Sequence, residues 1–304
     1  MIYYCKKMKL TKTIYFLDLD NTNQRFLVGK QLAVLADFHD SDPGPILDIL
    51  RNDIPDVIMI PGDLVLGYFP GDDELVINRC RNIMPLLEGC CELAPTYMSI
   101  GNHECMLCDD EFDKLRETGV VIVDNVWTEL RLPDGQICEK KSEDSSDRVL
   151  VGGLTSAHSL SYNRFRDEYN SEDNKEKYER YPYRSKPKDI SEYPAESSWL
   201  DGFEKEDGYK ILLCHHPEYW CLREPMLRDR KIDLVLSGHA HGGQWRFWGR
   251  GVFAPGQGLF PEYTSGIHYG QDCRMIISRG LSNPYRFIPR FGNPCEVVYV
   301  KFEG

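Results

Sequence analysis

Asp37-Phe38-His39, Gly62-Asp63, Gly101-Asn102-His103-Glu104, His215-His216-Pro217 and Gly238-His239-Ala240-His241 hold six of the eight histidines in five short segments. Imidazole nitrogens together with Asp and Asn oxygens suit Mn, Fe or Zn, and the absence of cysteine from the set argues against a purely structural zinc site. In Asp37-x-His39 and His239-x-His241, the i, i+2 spacing lets two side chains of an extended segment face one metal cluster. Glycines at 62, 101, 238, 242 and 243 let the backbone turn sharply and come close to a ligand. Each motif alone is a weak signal. Five in this order, each at the end of an apolar run, point to one site.

Those runs are Leu32 to Ala36, Asp56 to Ile60, Thr96 to Ile100, Lys210 to Cys214 and Asp233 to Leu236, and Val120 to Val123 resembles them. Their length and continuous apolar character predict strands buried on both faces. Pro43 to Arg51, Asp73 to Leu87, Asp109 to Thr118 and Leu222 to Arg230 read as helices between strands. Strand and helix alternation predicts a largely parallel sheet, whose strand carboxyl ends share one edge, so the five segments are expected to converge on one crevice. Trp127 to Leu132 and Val149 to Leu154 read as a hairpin with a long polar connection. Residues 1 to 30 read as an N-terminal hairpin, with Thr13 to Leu17 and Arg25 to Val28 on either side of a turn-rich string.

Residues 161–198 stand apart: 17 of these 38 are charged, six are Tyr, and Ile190 is the only Val, Ile or Leu. No core can be built from that composition, so the segment reads as a solvated insertion, with a lid over the site as the sharper alternative.

The net charge of −12 argues against sequence-blind nucleic-acid binding and against adhesion to anionic membranes. No apolar stretch reaches the roughly 18 residues of a membrane span, and the first 20 residues lack the apolar core of a signal peptide. Eleven scattered cysteines fit free thiols in a reducing compartment, so a cytoplasmic location is expected. Cys105-Met-Leu-Cys108 has no second such pair and reads as ordinary thiols.

Taken together, the five histidine and carboxylate motifs resemble the calcineurin-like metallophosphoesterase superfamily, over roughly residues 26 to 302. Gly242-Gly243-Gln244, Phe253-x-Pro255-Gly256 and Ser278-Arg279-Gly280-Leu281 are similar to a branch holding bacterial membrane-associated phosphodiesterases and UDP-2,3-diacylglucosamine pyrophosphatase-like enzymes. That branch's hydrophobic N-terminal anchor has no counterpart in this sequence.

The resemblance implies an α/β fold, a four-layer α/β/β/α sandwich of two mixed sheets, formed as one domain over residues 1–304 with a dinuclear metal site at the strand C-terminal ends. It implies that Asp37, His39 and His241 bind one metal, that Asn102, His215 and His239 bind the second, and that Asp63 bridges both. Two divalent ions about 3.5–4 Å apart can hold a shared hydroxide as nucleophile toward phosphorus. His103, beside a ligand but not one itself, would assist the leaving group. Arg279 is a candidate for binding a substrate phosphate. Glu104 and Asp40 could orient their neighbours or simply face solvent, and His216 reads as structural. The implied reaction is hydrolysis of a phosphodiester or pyrophosphate in a small or lipid-linked substrate. Monoesterase or nuclease activity would share the mechanism, and a non-catalytic scaffold is the alternative from another class.

Overall fold

The computed structural model describes residues 9–19, 22–66, 76–104, 107, 109–130, 148–156, 197–283 and 288–304. In the first part of the chain the strands are β1 (Leu10–Asp18), β2 (Gln31–Val34), β3 (Val57–Ile60), β4 (Thr96–Ser99) and β5 (Val121–Val123). Next come β6 (Val126–Glu129), β7 (Val149–Leu154), β8 (Tyr209–Cys214) and β9 (Leu234–Ser237). Short pieces follow: β10 (Arg246–Phe247), β11 (Arg250–Gly251), β12 (Phe253–Ala254) and β13 (Gly258–Leu259). The last three are β14 (Gly266–Tyr269), β15 (Arg274–Ile277) and β16 (Cys295–Glu303). Helices α1 (Gly44–Asn52), α2 (Val76–Arg79), α3 (Ile83–Leu93), α4 (Asp109–Glu117) and α5 (Leu200–Phe203) lie between them.

Two six-stranded mixed sheets result, in the orders β1-β16-β2-β3-β4-β5 and β14-β15-β9-β8-β7-β6. β2 to β5 are mutually parallel, as are β7, β8, β9 and β15. Alternation along each strand splits its side chains between two faces. Ala33 and Leu35 pack on Ile46, Leu50, Ile83 and Leu86 of α1 and α3, whereas Leu32 and Val34 face Val151, Ile211, Leu234 and Leu236 of the second sheet. Beyond that sheet, Leu150, Leu212 and Val235 meet Leu200, Phe203, Tyr219 and Trp220. Three apolar cores therefore separate four layers.

β6 and β7 form the expected antiparallel pair. The N-terminal hairpin does not form. Thr13 to Leu17 is strand, but β1 pairs in parallel with β16 from the far end of the chain, and Thr22–Leu27 is a 3₁₀ turn. Pairing with β16 gives all nine residues of β1 a ladder, more than the four-residue Arg25 to Val28 piece could supply.

Two helices also differ. The Asp73 to Leu87 helix is interrupted, because the Asp40 carboxylate accepts the N–H groups of Arg81 (3.1 Å) and Asn82 (2.7 Å) and so caps α3 apart from α2. Leu222 to Arg230 has Pro225 at its centre, which cannot donate within a helix, and only Leu227–Asp229 winds, as a 3₁₀ turn. Residues 161–196 of the insertion, Cys105, Cys108 and His158 lie outside the described residues. His268 lies in β14, its Nε2 at 3.2 Å from the Ser265 carbonyl, away from the other histidines.

Candidate metal centre

The loops that follow β2, β3, β4, β8 and β9 meet where the two sheets come together. Backbone bonds stitch them in pairs: Asp37 N–H donates to the Gly62 carbonyl and His39 N–H to that of Asp63, each at 3.2 Å, and Gly238 N–H donates to His215 at 3.0 Å. The Asp37 carboxylate accepts the N–H of His239 at 3.0 Å, joining a loop of the first sheet to one of the second.

Asp37 (φ 55°), His39 (46°), Asp63 (59°), His239 (64°) and His241 (47°) all take left-handed backbone conformations. Such conformations are uncommon outside glycine and persist where surrounding bonds over-determine them. The extended-segment geometry expected for the i, i+2 pairs is thus replaced by tight left-handed turns. The side chains still converge, because the ligating atoms of Asp37, His39 and His241 lie within 4.8 Å of one another.

Asp63, His215 and His239 form a second such group, and Asp63 with His39 and His103 a third. Asp63 Oδ2 lies 3.1 Å from His215 Nε2, 3.8 Å from His39 Nε2 and 3.7 Å from His103 Nε2. One carboxylate oxygen thus faces imidazoles from both halves of the site. Asp37 Oδ1 lies 3.7 Å from His241 Nε2.

The donor set fits a pair of divalent ions. His39 Nε2 and Asn102 Oδ1 are buried without a hydrogen-bond partner, an arrangement that costs free energy unless something ligates them. The Nδ1 atoms of His39 and His215 sit 3.1 Å and 3.0 Å from the carbonyls of Val65 and Pro61, which fixes the tautomer that leaves Nε2 free to ligate. Burial, aided by neighbouring histidines, pushes His39 and His239 down to about 3 and His241 well below the usual range, so all three imidazoles are neutral at pH 7.

His215 differs: burial alone would lower it, but Asp63 and Asp37 raise it to about 9. Asp63 is held well below the usual carboxylate range because His103, His215 and His39 outweigh its burial. Burial lifts Asp37 to about 6.

The family model for calcineurin-like phosphoesterases matches residues 30–243, the span that carries all five motifs. This chain belongs to that family. The calcineurin-like phosphoesterase is 24% identical to the phosphodiesterase YaeI of Escherichia coli over 266 residues, covering 84% of this chain and 76% of YaeI. A 50-residue stretch is 48% identical to the uncharacterized protein YpbG of Bacillus subtilis, covering 16% of this chain and 17% of YpbG. A dimetal phosphatase from Danio rerio superimposes with a TM-score of 0.45 at 13% identity, covering 84% of this chain and 90% of that one.

In this calcineurin-like phosphoesterase, Glu104 is wholly buried, a role its motif position did not reveal. Its carboxylate accepts four backbone N–H groups: Asp63 (2.8 Å), Gly101 (2.9 Å), Leu64 (2.6 Å) and Val65 (3.1 Å). His216 is buried too, with Nδ1 2.7 Å from Ser156 Oγ and its ring centroid 4.0 Å from that of His239, against which it packs.

Arg279 is turned elsewhere. Its guanidinium pairs with the buried Glu296 carboxylate at 2.5 Å and reaches Thr11 and Thr13 of β1. The arginine that approaches the site is Arg290, which donates to the Arg279 carbonyl (2.6 Å) and the Ser282 carbonyl and has its Nη2 3.2 Å from His241 Nδ1. Ser282 Oγ in turn donates to the Asp37 carbonyl at 2.8 Å. No motif marks Arg290 in the sequence. Only the fold brings residue 290 against residues 37 and 241.

Proposed function

We propose that this protein is a dinuclear-metal-dependent phosphoester hydrolase acting on a phosphodiester or pyrophosphate of a small or lipid-linked substrate. The observation that carries this reading is the Asp63 carboxylate, set between His39 on one side and His215 with His239 on the other. Asp37, His39 and His241 would hold one ion, Asn102, His215 and His239 the second, and Asp63 both. Mn, Fe and Zn all suit these donors. A pair of such ions supplies charge neutralisation at phosphoryl oxygens and acidifies water near neutral pH.

The chain's own residues do the rest. The Glu104 carboxylate holds the Asp63 backbone in place, with Asp63 Oδ2 toward the imidazoles of His39, His103 and His215. His103 N–H donates to Asp63 Oδ1 at 3.0 Å, which places the imidazole beside the bridging carboxylate. Its side chain is 26% exposed, against 0% for His215 and 1% for His39, so it stands where an incoming ester arrives. From there it can give a proton to the departing oxygen.

The net charge of −12 disfavours a nucleic acid as substrate. Trp245, Phe247 and Phe291, exposed beside the turn that carries His241, favour an apolar portion of the substrate. The similarity to YaeI, named a phosphodiesterase, favours a diester. β1 and β16, from opposite ends of the chain, complete one sheet, which supports a single catalytic unit. The seven free cysteines among the described residues fit a reducing, cytoplasmic setting.

The test is to reconstitute the protein with Mn, Fe or Zn and compare turnover of bis-p-nitrophenyl phosphate with that of p-nitrophenyl phosphate. Faster diester turnover supports the reading. Faster monoester turnover would make the protein a phosphomonoesterase.

A further inference from the structure

Sheets end in edges, and three of the four edges of the two six-stranded sheets are short: β5 has three residues, β6 and β14 four each. The fourth is β1, nine residues long and paired with β16 along one side only. Natural proteins blunt long edges with proline, bulges or dense charge. Leu10–Asp18 contains neither proline nor glycine, and its register with β16 runs without a bulge.

The backbone parity of this edge is fixed. Leu19 N–H donates to the Glu303 carbonyl at 2.8 Å, next to the Asp18–Glu303 pair. In a ladder, alternate residues turn their N–H and C=O toward the partner. Odd-numbered residues therefore face β16, and the N–H and C=O groups of Lys12, Ile14, Phe16 and Asp18 point away from the sheet. The same four residues are exposed, Ile14 by 38% and Phe16 by 55%.

We propose that this edge forms a homodimer, two copies pairing their β1 strands antiparallel about a two-fold axis at Tyr15. In that register Ile14 lies opposite Phe16 of the second copy, and Lys12 lies opposite its Asp18. Outward N–H and C=O groups meet outward ones, so the backbone bonds form in the same alignment. Moving the axis to Ile14 would put Lys12 opposite Phe16 and Asp18 opposite Leu10. Moving it to Phe16 would put Asp18 opposite Ile14.

Only the Tyr15 axis matches both the charged and the apolar pairs, each occurring twice by symmetry. Lys12 pairs with Asp53 within its own chain, and Lys301, 3.6 Å from Asp53, can serve that carboxylate when Lys12 turns to the second copy. β16 separates β1 from β2, so the interface leaves the metal-binding loops clear.

Sedimentation velocity on the full chain over a concentration series tests this. A dimer is expected for the wild type, with the dissociation constant raised about tenfold or more in either Lys12→Glu or Asp18→Lys, since each sets like charges opposite one another twice. An equimolar mixture of the two variants should dimerise as the wild type does, because opposite charges then meet at both pairs. Circular dichroism and metal content, expected unchanged, show that each variant is folded. A wild type that stays monomeric at every concentration, single variants that dimerise as tightly as wild type, or a mixture that remains monomeric would each overturn the proposal.

Discussion

The Glu104 carboxylate receives the backbone N–H of Asp63 at 2.8 Å and those of Gly101, Leu64 and Val65 as well, so one buried side chain fixes the loop that carries Asp63. Glu104→Gln keeps the shape but turns one acceptor oxygen into a donor facing two N–H groups. Leaving two buried donors unpaired costs about 1–3 kcal/mol each. Urea unfolding should report a loss of at least about 2 kcal/mol, with weaker metal retention on dialysis. Unchanged stability and metal content would mean that the Asp63 loop holds itself.

The roles proposed for Asp63 and His103 should separate in mutants. Asp63→Asn and His239→Ala should remove both bound metal and activity, whereas His103→Ala should keep the metal and lower turnover by about 10²-fold or more. Metal content and kcat measured on the same samples decide this. Loss of metal from His103→Ala would make His103 a ligand, as its distance of 3.7 Å from Asp63 Oδ2 would also permit.

The two arginines should behave oppositely. Arg279→Ala removes the partner of the buried Glu296 and should cost about 2 kcal/mol of stability while KM stays unchanged. Arg290→Met removes the two bonds donated to the Arg279 and Ser282 carbonyls and the guanidinium 3.2 Å from His241 Nδ1, and should weaken metal binding at the Asp37, His39 and His241 group. Titration calorimetry with Mn on metal-stripped protein separates the two. A raised KM in Arg279→Ala with intact metal sites would restore it as a substrate-binding group.

Stability should depend on pH through Glu218. Burial pushes its carboxyl up to about 7 from an ordinary 4.5, against the help of Gln257, which donates to Oε1 at 2.9 Å. Between those values the folded chain binds more protons than the unfolded one, so this group's contribution falls as pH rises from about 4.5 to about 7 and is level above. Glu218→Gln lacks that slope. Its stability relative to wild type should rise across this window by at most about 3 kcal/mol. Chemical unfolding at several pH values checks it, and parallel curves for the two proteins would contradict it.

The sequence disclosed the layered α/β fold and the loops on which the candidate site sits. Candidate ligands such as Asp37 and His239 carry signals in their own residue type and in the apolar run before them, and the parallel strands bring them together. What stayed hidden depends on distant partners. β1 pairs with β16 some 285 residues away, and nothing in the local turn-rich string distinguishes that from a hairpin. Arg290 reaches His241 only because the chain folds back, while Arg279 looked the better candidate for lying in a recognisable motif. Glu104 sat in plain view, but its burial, and so its role, depends on where the Asp63 loop lies.

The most direct test is elemental analysis of the purified chain, followed by assay with bis-p-nitrophenyl phosphate. Two ions of Mn, Fe or Zn per chain, and diester hydrolysis that disappears with a chelator and returns on adding metal, are the expected result. A chain that holds no such metal and stays inactive after all three are supplied would contradict the dinuclear hydrolase.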